Sequence, residues 1–128
     1  MDRATMARVL VVDDDALSLQ LLETILRRDQ HAVFTSMSSV ETIRLMQLHQ
    51  PDLVILNDNM PIISGGDLCR HIKDDPELSM TPILLMSAGM RVRDPEYIRA
   101  SQADGVLLKP CLPADVREVV NQYIAARN

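Results

Sequence analysis

PDLVILNDNMP, residues 51 to 61, is the stretch that decides the fold class. The turn signal Pro51-Asp52 precedes a continuous apolar run, residues 53 to 56. A short run of this kind is typical of a strand that is buried on both faces of a parallel sheet. The three polar residues 57 to 59 then lie at its carboxyl end, where open α/β sheets bind their ligands.

Four further strands and five helices are predicted around this one. Apolar runs predict the strands, and apolar residues at helical spacing predict the helices, most weakly over 91–103. Ser38 and Glu41 have the spacing of a capping box, and Ser64-Gly65-Gly66 predicts a turn. The predicted strands are 8–12, 31–37, 53–56, 83–86 and 105–108, and the predicted helices are 17–28, 38–50, 68–74, 91–103 and 112–124. The alternation predicts an α/β fold, a flavodoxin-like three-layer (βα)5 sandwich with strand order 2-1-3-4-5.

Size and charge limit the classes of protein to consider. The 128 residues are 47% hydrophobic and 24% charged, so we expect a short tail at 1–6 and a single domain at 7–128. The net charge of −5 disfavours direct binding to nucleic acid or to an anionic membrane. No apolar run reaches the roughly 18 residues of a membrane span. Two cysteines without metal-ligand spacing favour a reduced, cytoplasmic setting.

Polar residues follow four of the predicted strands. Asp13 and Asp14 come after the first strand, Asn57 after the third, Ser87 after the fourth and Lys109 after the fifth. Because the carboxyl ends of parallel strands meet at one edge of a sheet, these side chains should converge on one crevice. The set, in this order, resembles the response-regulator receiver domains (CheY-like), whose third strand usually ends Leu-Asp-x-x-Met-Pro. Here that segment reads LNDNMP, residues 56 to 61.

The resemblance implies a site built for phosphoryl transfer, which depends mainly on positioning and charge neutralisation. Asp13, Asp14 and the backbone carbonyl of Asn59 would hold Mg²⁺, a cation that prefers oxygen ligands. Ser87 and Lys109 would contact the phosphoryl oxygens. In this chain asparagine stands in place of the phosphorylated aspartate, so one anionic ligand is missing. We therefore expect Mg²⁺ to bind weakly or not at all.

Three residues depart from the family pattern. Asn57 stands where the phospho-acceptor stands, and its neutral amide has no nucleophilic carboxylate oxygen. Val106 stands at the switch position, where receivers commonly carry an aromatic side chain, and it is too small and stiff to act as a rotor. Cys111 replaces a frequent Phe. Together these departures favour a natural pseudo-receiver over an Asp-to-Asn change introduced into a working receiver, which would leave Val106 unexplained.

The leading interpretation is therefore a non-enzymatic two-component signalling module that acts through a protein partner. The resemblance implies a histidine kinase, a phosphotransfer protein or an output domain as that partner. It also implies a partner surface formed by the fourth helix, the last strand and the last helix. Four arginines lie in those segments, although each could equally be an ordinary solvated charge: Arg91, Arg93, Arg99 and Arg117.

Two other interpretations remain open at this stage. Phosphotransfer could survive through Asp58, or through a natural Asp at position 57, but neighbouring strand residues face opposite sides and Asp58 should point away from the crevice. A Mg²⁺-dependent phosphatase resembling the haloacid-dehalogenase group would use Asp13 and Asp15, yet the chain lacks the acidic pair such enzymes need after the lysine. The three aspartates 13–15 could also simply cap the first helix.

Overall fold

Five parallel strands form one sheet in the order β2-β1-β3-β4-β5 in the computed structural model, which describes residues 6–126. The strands are β1 Arg8–Val12, β2 Ala32–Ser36, β3 Leu53–Asn57, β4 Ile83–Ser87 and β5 Gly105–Leu108. The predicted strand order is confirmed, and each predicted strand differs from the observed one by at most one residue at either end. The predicted tail 1–6 lies, apart from Met6, outside the described residues.

Five helices cover the two faces of the sheet and complete the predicted three-layer sandwich. One apolar core joins the sheet to α1 and α5, and the other joins it to α2, α3 and α4. The helices are α1 Ala16–Arg28, α2 Thr42–His49, α3 Gly65–Asp74, α4 Pro95–Ser101 and α5 Pro113–Ala126. Within the described part of the chain, no helix is both long and apolar enough for a membrane crossing.

The central strand β3 supplies both cores from alternate residues. Leu53 and Ile55 face the core against α1 and α5, whereas Val54 and Leu56 face the opposite core. All four side chains are completely buried, which explains why the run is continuously apolar. Burial of one such side chain contributes about 1.5–3 kcal/mol, and truncation of Ile55 to Ala should cost about 2–5 kcal/mol.

The strand register aligns the carboxyl ends of the three central strands. Val12 of β1 pairs with Leu56 of β3, and Leu56 pairs with Leu85 of β4. The residues that follow, beginning with Asp13 and Asn57, therefore leave the sheet side by side. This register brings together residues that lie far apart in the sequence.

The predicted capping box is wrong. Ser38 makes no side-chain cap, and a 3₁₀ turn, Ser39–Glu41, precedes α2. The amide of Ser38 donates to Ser36 Oγ at 3.1 Å, and the Glu41 carboxylate pairs with Arg44 instead of returning to the cap. A competing local hydrogen bond thus outweighs the sequence pattern.

Two predicted segments also begin differently. Ser64 is not part of a free turn but caps α3, accepting from the Asp67 amide at 3.2 Å, and Gly65 is already helical. A Cβ on Gly65 would lie 2.4 Å from the carbonyl oxygen of Asn57, so only glycine lets α3 begin against the end of β3. The predicted helix 91–103 is divided into a 3₁₀ turn, Arg91–Arg93, and α4, because extended Asp94 caps α4 and Pro95 occupies its first turn.

Candidate functional site

A crevice of about 570 Å³ lies at the carboxyl ends of β1, β3, β4 and β5. Its position is the one expected for a ligand site in an open α/β sheet. It contains most of the residues singled out from the sequence, and it also contains Arg91, which the sequence did not place there. The lining includes Asp14, Asn57, Asn59, Ser87, Arg91 and Lys109.

Asp13 and Lys109 form an ion pair at the inner edge of the crevice. The Lys109 ammonium donates to Asp13 Oδ2 at 2.9 Å, and the Asp15 amide donates to Asp13 Oδ1 at 2.9 Å. These two contacts engage both carboxylate oxygens of Asp13, which is completely buried. Removing Lys109 would leave a buried charge without a partner, a change that typically costs about 3–5 kcal/mol.

Asp14 and Asp15 are exposed and play different parts. Asp15 is the N-cap of α1 and accepts hydrogen bonds from Ser18 Oγ at 2.9 Å and the Leu17 amide at 3.2 Å. These hydrogen bonds, that of Ser18 first, hold the pKa of Asp15 below its usual value. Asp14 makes no salt bridge within residues 6–126 and accepts only a long hydrogen bond of 3.5 Å from Asn57 Nδ2, so it is the most open carboxylate of the crevice.

Asn57 ends β3 with its side chain directed into the crevice, and only 4% of its surface is exposed. Its Nδ2 donates to the backbone carbonyl of Asn59 at 3.0 Å and lies 3.5 Å from Asp14 Oδ1. The amide therefore ties the loop after β3 to the loop after β1. It does so with N–H groups, which a carboxylate in this place could not supply.

Ser87 is the last residue of β4, whereas Val106 lies within β5, one residue after its start. Ser87 is buried, and its Oγ accepts a hydrogen bond from the Gly89 amide at 2.8 Å. Val106 is half-buried and packs against the core on the α2, α3 and α4 side of the sheet. Its branched side chain is part of that packing, in keeping with a residue that does not rotate.

Asp58 has a structural role that the sequence did not reveal. Only 2% of it is exposed, and its carboxylate accepts from the Gly66 amide at 2.9 Å and from the Tyr97 hydroxyl at 2.5 Å. Arg91 completes the group with an ion pair of 2.9 Å. Burial raises the pKa of Tyr97, and the hydrogen bond to Asp58 raises it further. The carboxylate thus bonds to groups of α3, α4 and the turn before α4, and no sequence pattern pointed to these partners. Asp58 nevertheless also lines the crevice, so it does not point fully away from it as strand alternation suggested.

The oxygen atoms at the crevice are only partly available to a divalent cation. Asp14 is open, but Asp13 is shared with Lys109 and the Asn59 carbonyl accepts from the Asn57 amide. Among the described residues, no group of three or more carboxylate, imidazole or thiol side chains could hold a metal ion. Mg²⁺ bound here would rely on two carboxylates, one carbonyl and retained water.

Comparison with known proteins gives one consistent result. Residues 9–121 match the family model for the response regulator receiver domain. The polar-differentiation response regulator DivK of Brucella ovis is 26% identical over 116 residues, which are 91% of this chain and 94% of that protein. The structure of the chemotaxis response regulator CheY4 of Vibrio cholerae is similar with a TM-score of 0.85 and 26% identity, covering 93% of this chain and 99% of that one. The structure of the signal receiver domain of a signal transduction histidine kinase from Syntrophus aciditrophicus is similar with a TM-score of 0.82 and 27% identity. The match covers 94% of this chain and 91% of that one.

Receiver domains are generally non-enzymatic signalling modules, and they typically bind Mg²⁺ at an acidic pocket. They interact with histidine kinases, phosphotransfer proteins or output domains. The strand order, the position of the crevice and the family match over residues 9–121 all agree with a receiver domain. The chain belongs to the response regulator receiver domain family, as the receiver domain of a two-component response regulator.

Proposed function

We propose that this receiver domain is a pseudo-receiver, which signals by binding a protein partner without phosphorylation at position 57. The observation that carries the proposal is Asn57, whose amide lies in the crevice with Nδ2 bonded to the Asn59 carbonyl. An aspartyl phosphate forms only when a carboxylate oxygen attacks phosphorus. The amide nitrogen of Asn57 has a delocalised lone pair, and its oxygen belongs to a neutral group.

Asp58 is a poor substitute acceptor in this proposal. Its Oδ1 accepts from the Gly66 amide and the Tyr97 hydroxyl, and its Oδ2 pairs with Arg91. A nucleophilic oxygen has to leave such partners and reach an in-line position at phosphorus, but Asp58 is almost completely buried. The phosphatase alternative is weakened in the same way, because Asp15 serves as the cap of α1.

The proposed partner surface surrounds the mouth of the crevice. Two of the arginines noted from the sequence, Arg91 and Arg117, pair with aspartates of this chain and are less available to a partner. Large apolar side chains are instead exposed in the first turn of α1 and in the four other loops that follow strand ends. These side chains are Leu17, Met37, Val40, Ile62, Met90 and Leu112.

The partner that fits this surface has an apolar face with a cationic residue at its centre. The apolar side chains would pack around the mouth, and the cation would lie against the open carboxylate of Asp14. Exposed apolar groups in one region commonly mark interaction sites, and complementary charge favours the correct partner. We further propose that Mg²⁺ binds only weakly beside Asp13 and Asp14, and that the domain works in a reduced cytoplasmic setting, which the two free thiols support.

Intact-mass measurement after incubation with Mg²⁺ and acetyl phosphate tests the proposal. We expect no phosphoryl adduct on the native chain, whereas Asn57→Asp should acquire one because Asp13, Asp14, Ser87 and Lys109 are all in place. Asp58→Asn is the matched control for the neighbouring carboxylate. An adduct on the native chain that disappears in Asp58→Asn would transfer the acceptor role to Asp58 and refute the proposal.

A further inference from the structure

The Asp58 carboxylate joins three elements that are separate in the sequence. Gly66 belongs to the first turn of α3, Tyr97 belongs to α4, and Arg91 belongs to the 3₁₀ turn that precedes α4. One carboxylate oxygen accepts from Gly66 and Tyr97, and the other pairs with Arg91. Both oxygens of this buried group are therefore satisfied, by hydrogen bonds of the stronger, charge-assisted kind.

The backbone of Asp58 is itself attached to the rigid sheet. Its amide donates to the Met86 carbonyl of β4 at 2.9 Å, which continues the pairing of the two central strands. Its carbonyl accepts from the amides of Met60 at 3.1 Å and Gly65 at 2.8 Å. The carboxylate thus extends from a fixed point, so groups bonded to it are fixed relative to the sheet.

The three partners also fit closely against one another. The Arg91 guanidinium lies 5.1 Å from the centre of the Tyr97 ring, a distance typical of a cation–π contact. A Cβ on Gly66 would lie 2.4 Å from the Tyr97 hydroxyl oxygen. The missing side chain at residue 66 is therefore what allows the Tyr97 hydroxyl to reach Asp58.

We propose that Asp58 is a conformational lock, which holds the β4–α4 segment (residues 88–94) and α4 in one arrangement whatever occupies the crevice. The segment carries Met90 and Arg91 to the mouth of the crevice, so the lock also presets the proposed partner surface. The inference rests on the proposed function in one respect, namely that the surface which the lock presets is the partner surface proposed above.

Amide hydrogen exchange measured by NMR tests the lock on the native chain and on two variants. The reporter is the amide of Asp94, which donates to the Arg91 carbonyl at 3.0 Å inside the segment. Arg91→Gln removes the ion pair and Tyr97→Phe removes only the hydroxyl, and each should accelerate exchange of this amide by about tenfold or more through local opening. The amide of Val11 in β1 reports global unfolding, so its exchange measures how far each variant lowers the stability of the whole domain. Exchange of the Asp94 amide should remain much faster than that of Val11, which identifies the opening as local.

Arg93→Gln is the matched control, because Arg93 lies in the same 3₁₀ turn, is exposed and makes no salt bridge within residues 6–126. It should change the exchange of the Asp94 amide by less than about twofold. Equal acceleration in Arg91→Gln and Arg93→Gln, or an unprotected Asp94 amide in the native chain, would overturn the lock.

Failure of the lock and failure of the proposed function give different results. A phosphoryl adduct on the native chain contradicts the proposed function, while the difference between Arg91→Gln and Arg93→Gln still decides the lock. In Asn57→Asp treated with acetyl phosphate, unchanged exchange at Asp94 supports the lock. Accelerated exchange in that adduct overturns the lock and leaves the proposed function of the native chain intact.

Discussion

Replacing Asn57 by Asp should destabilise the domain in the absence of metal. The amide nitrogen of Asn57 donates to the Asn59 carbonyl and lies beside the Asp14 carboxylate. The substitution exchanges this donor for a carboxylate oxygen of nearly the same size. The hydrogen bond to Asn59 and the long one to Asp14 are both lost, and a second negative charge is placed next to Asp14 without any change in packing.

The magnitude follows from the distances at the site. At the 3.5 Å between Asn57 Nδ2 and Asp14 Oδ1, two like charges repel by about 5 kcal/mol at an effective dielectric constant of about 20 and by about 1 kcal/mol in water. Asp14 is exposed, so the smaller value is nearer, and attraction to Lys109 reduces it. Loss of the bond to Asn59 adds about 0.5–1.5 kcal/mol. The repulsion and the lost bond both destabilise the variant, and we expect a net loss of about 1–2 kcal/mol.

Urea denaturation at neutral pH measures this loss. With a denaturant slope of about 2 kcal/mol per molar urea, the midpoint should fall by about 0.5–1 M. Added Mg²⁺ at about 10 mM should narrow the difference, because it binds the folded variant more tightly than the native chain. The difference should also shrink below about pH 4, because the added carboxyl, whose pKa Asp14 raises, is neutral there.

A double variant identifies the cause of the loss. If repulsion from Asp14 is responsible, Asp14→Asn introduced together with Asn57→Asp should recover about 1 kcal/mol. Equal metal-free midpoints for the native chain and Asn57→Asp would refute the reasoning, because position 57 would then not lie beside Asp14. A loss that Asp14→Asn does not reduce would place the cause in the lost hydrogen bond alone.

Three further predictions follow from the same structure. A glycine-to-alanine change ordinarily stabilises a helix, but Gly66→Ala should lower the free energy of unfolding by about 1–3 kcal/mol because the new methyl group would clash with the Tyr97 hydroxyl. Thermal denaturation measures this change, and a stabilised variant would contradict the prediction. Lys109→Gln should destabilise the fold, yet it should tighten Mg²⁺ binding several-fold because it frees the Asp13 carboxylate. A calorimetric titration measures the affinity. Unchanged or weaker binding would show that Lys109 does not compete with Mg²⁺ for Asp13. Burial raises the pKa of Cys69 from 9.0 to about 12, so the stability that its protonated thiol contributes is present below pH 9.0 and is lost as the pH rises toward about 12. Cys69→Ala should flatten that alkaline decline in urea melts, and an unchanged slope would show that Cys69 does not cause it.

The fold was predictable because its signals are local. The apolar run 53–56 and the polar residues after it are contiguous, and the register of β1, β3 and β4 then brings Asp13, Asn57 and Ser87 to one edge. The Asp58 group was not predictable in this way. Its partners Gly66 and Tyr97 lie 8 and 39 residues away, and no periodicity connects them. Where a local pattern did mislead, as at Ser38, a neighbouring hydroxyl offered the backbone a competing bond.

The unequal pairing of the four aspartates at the sheet edge has a consequence for the speed of association. Lys109 neutralises Asp13 and Arg91 neutralises Asp58, whereas Asp14 and Asp15 make no salt bridge within the described residues. Two uncompensated negative charges at the mouth would attract a cationic partner before contact and raise its association rate constant. At physiological ionic strength the Debye length is about 8 Å, so this attraction acts only in the last approach. Added salt should therefore slow association much more than it speeds dissociation.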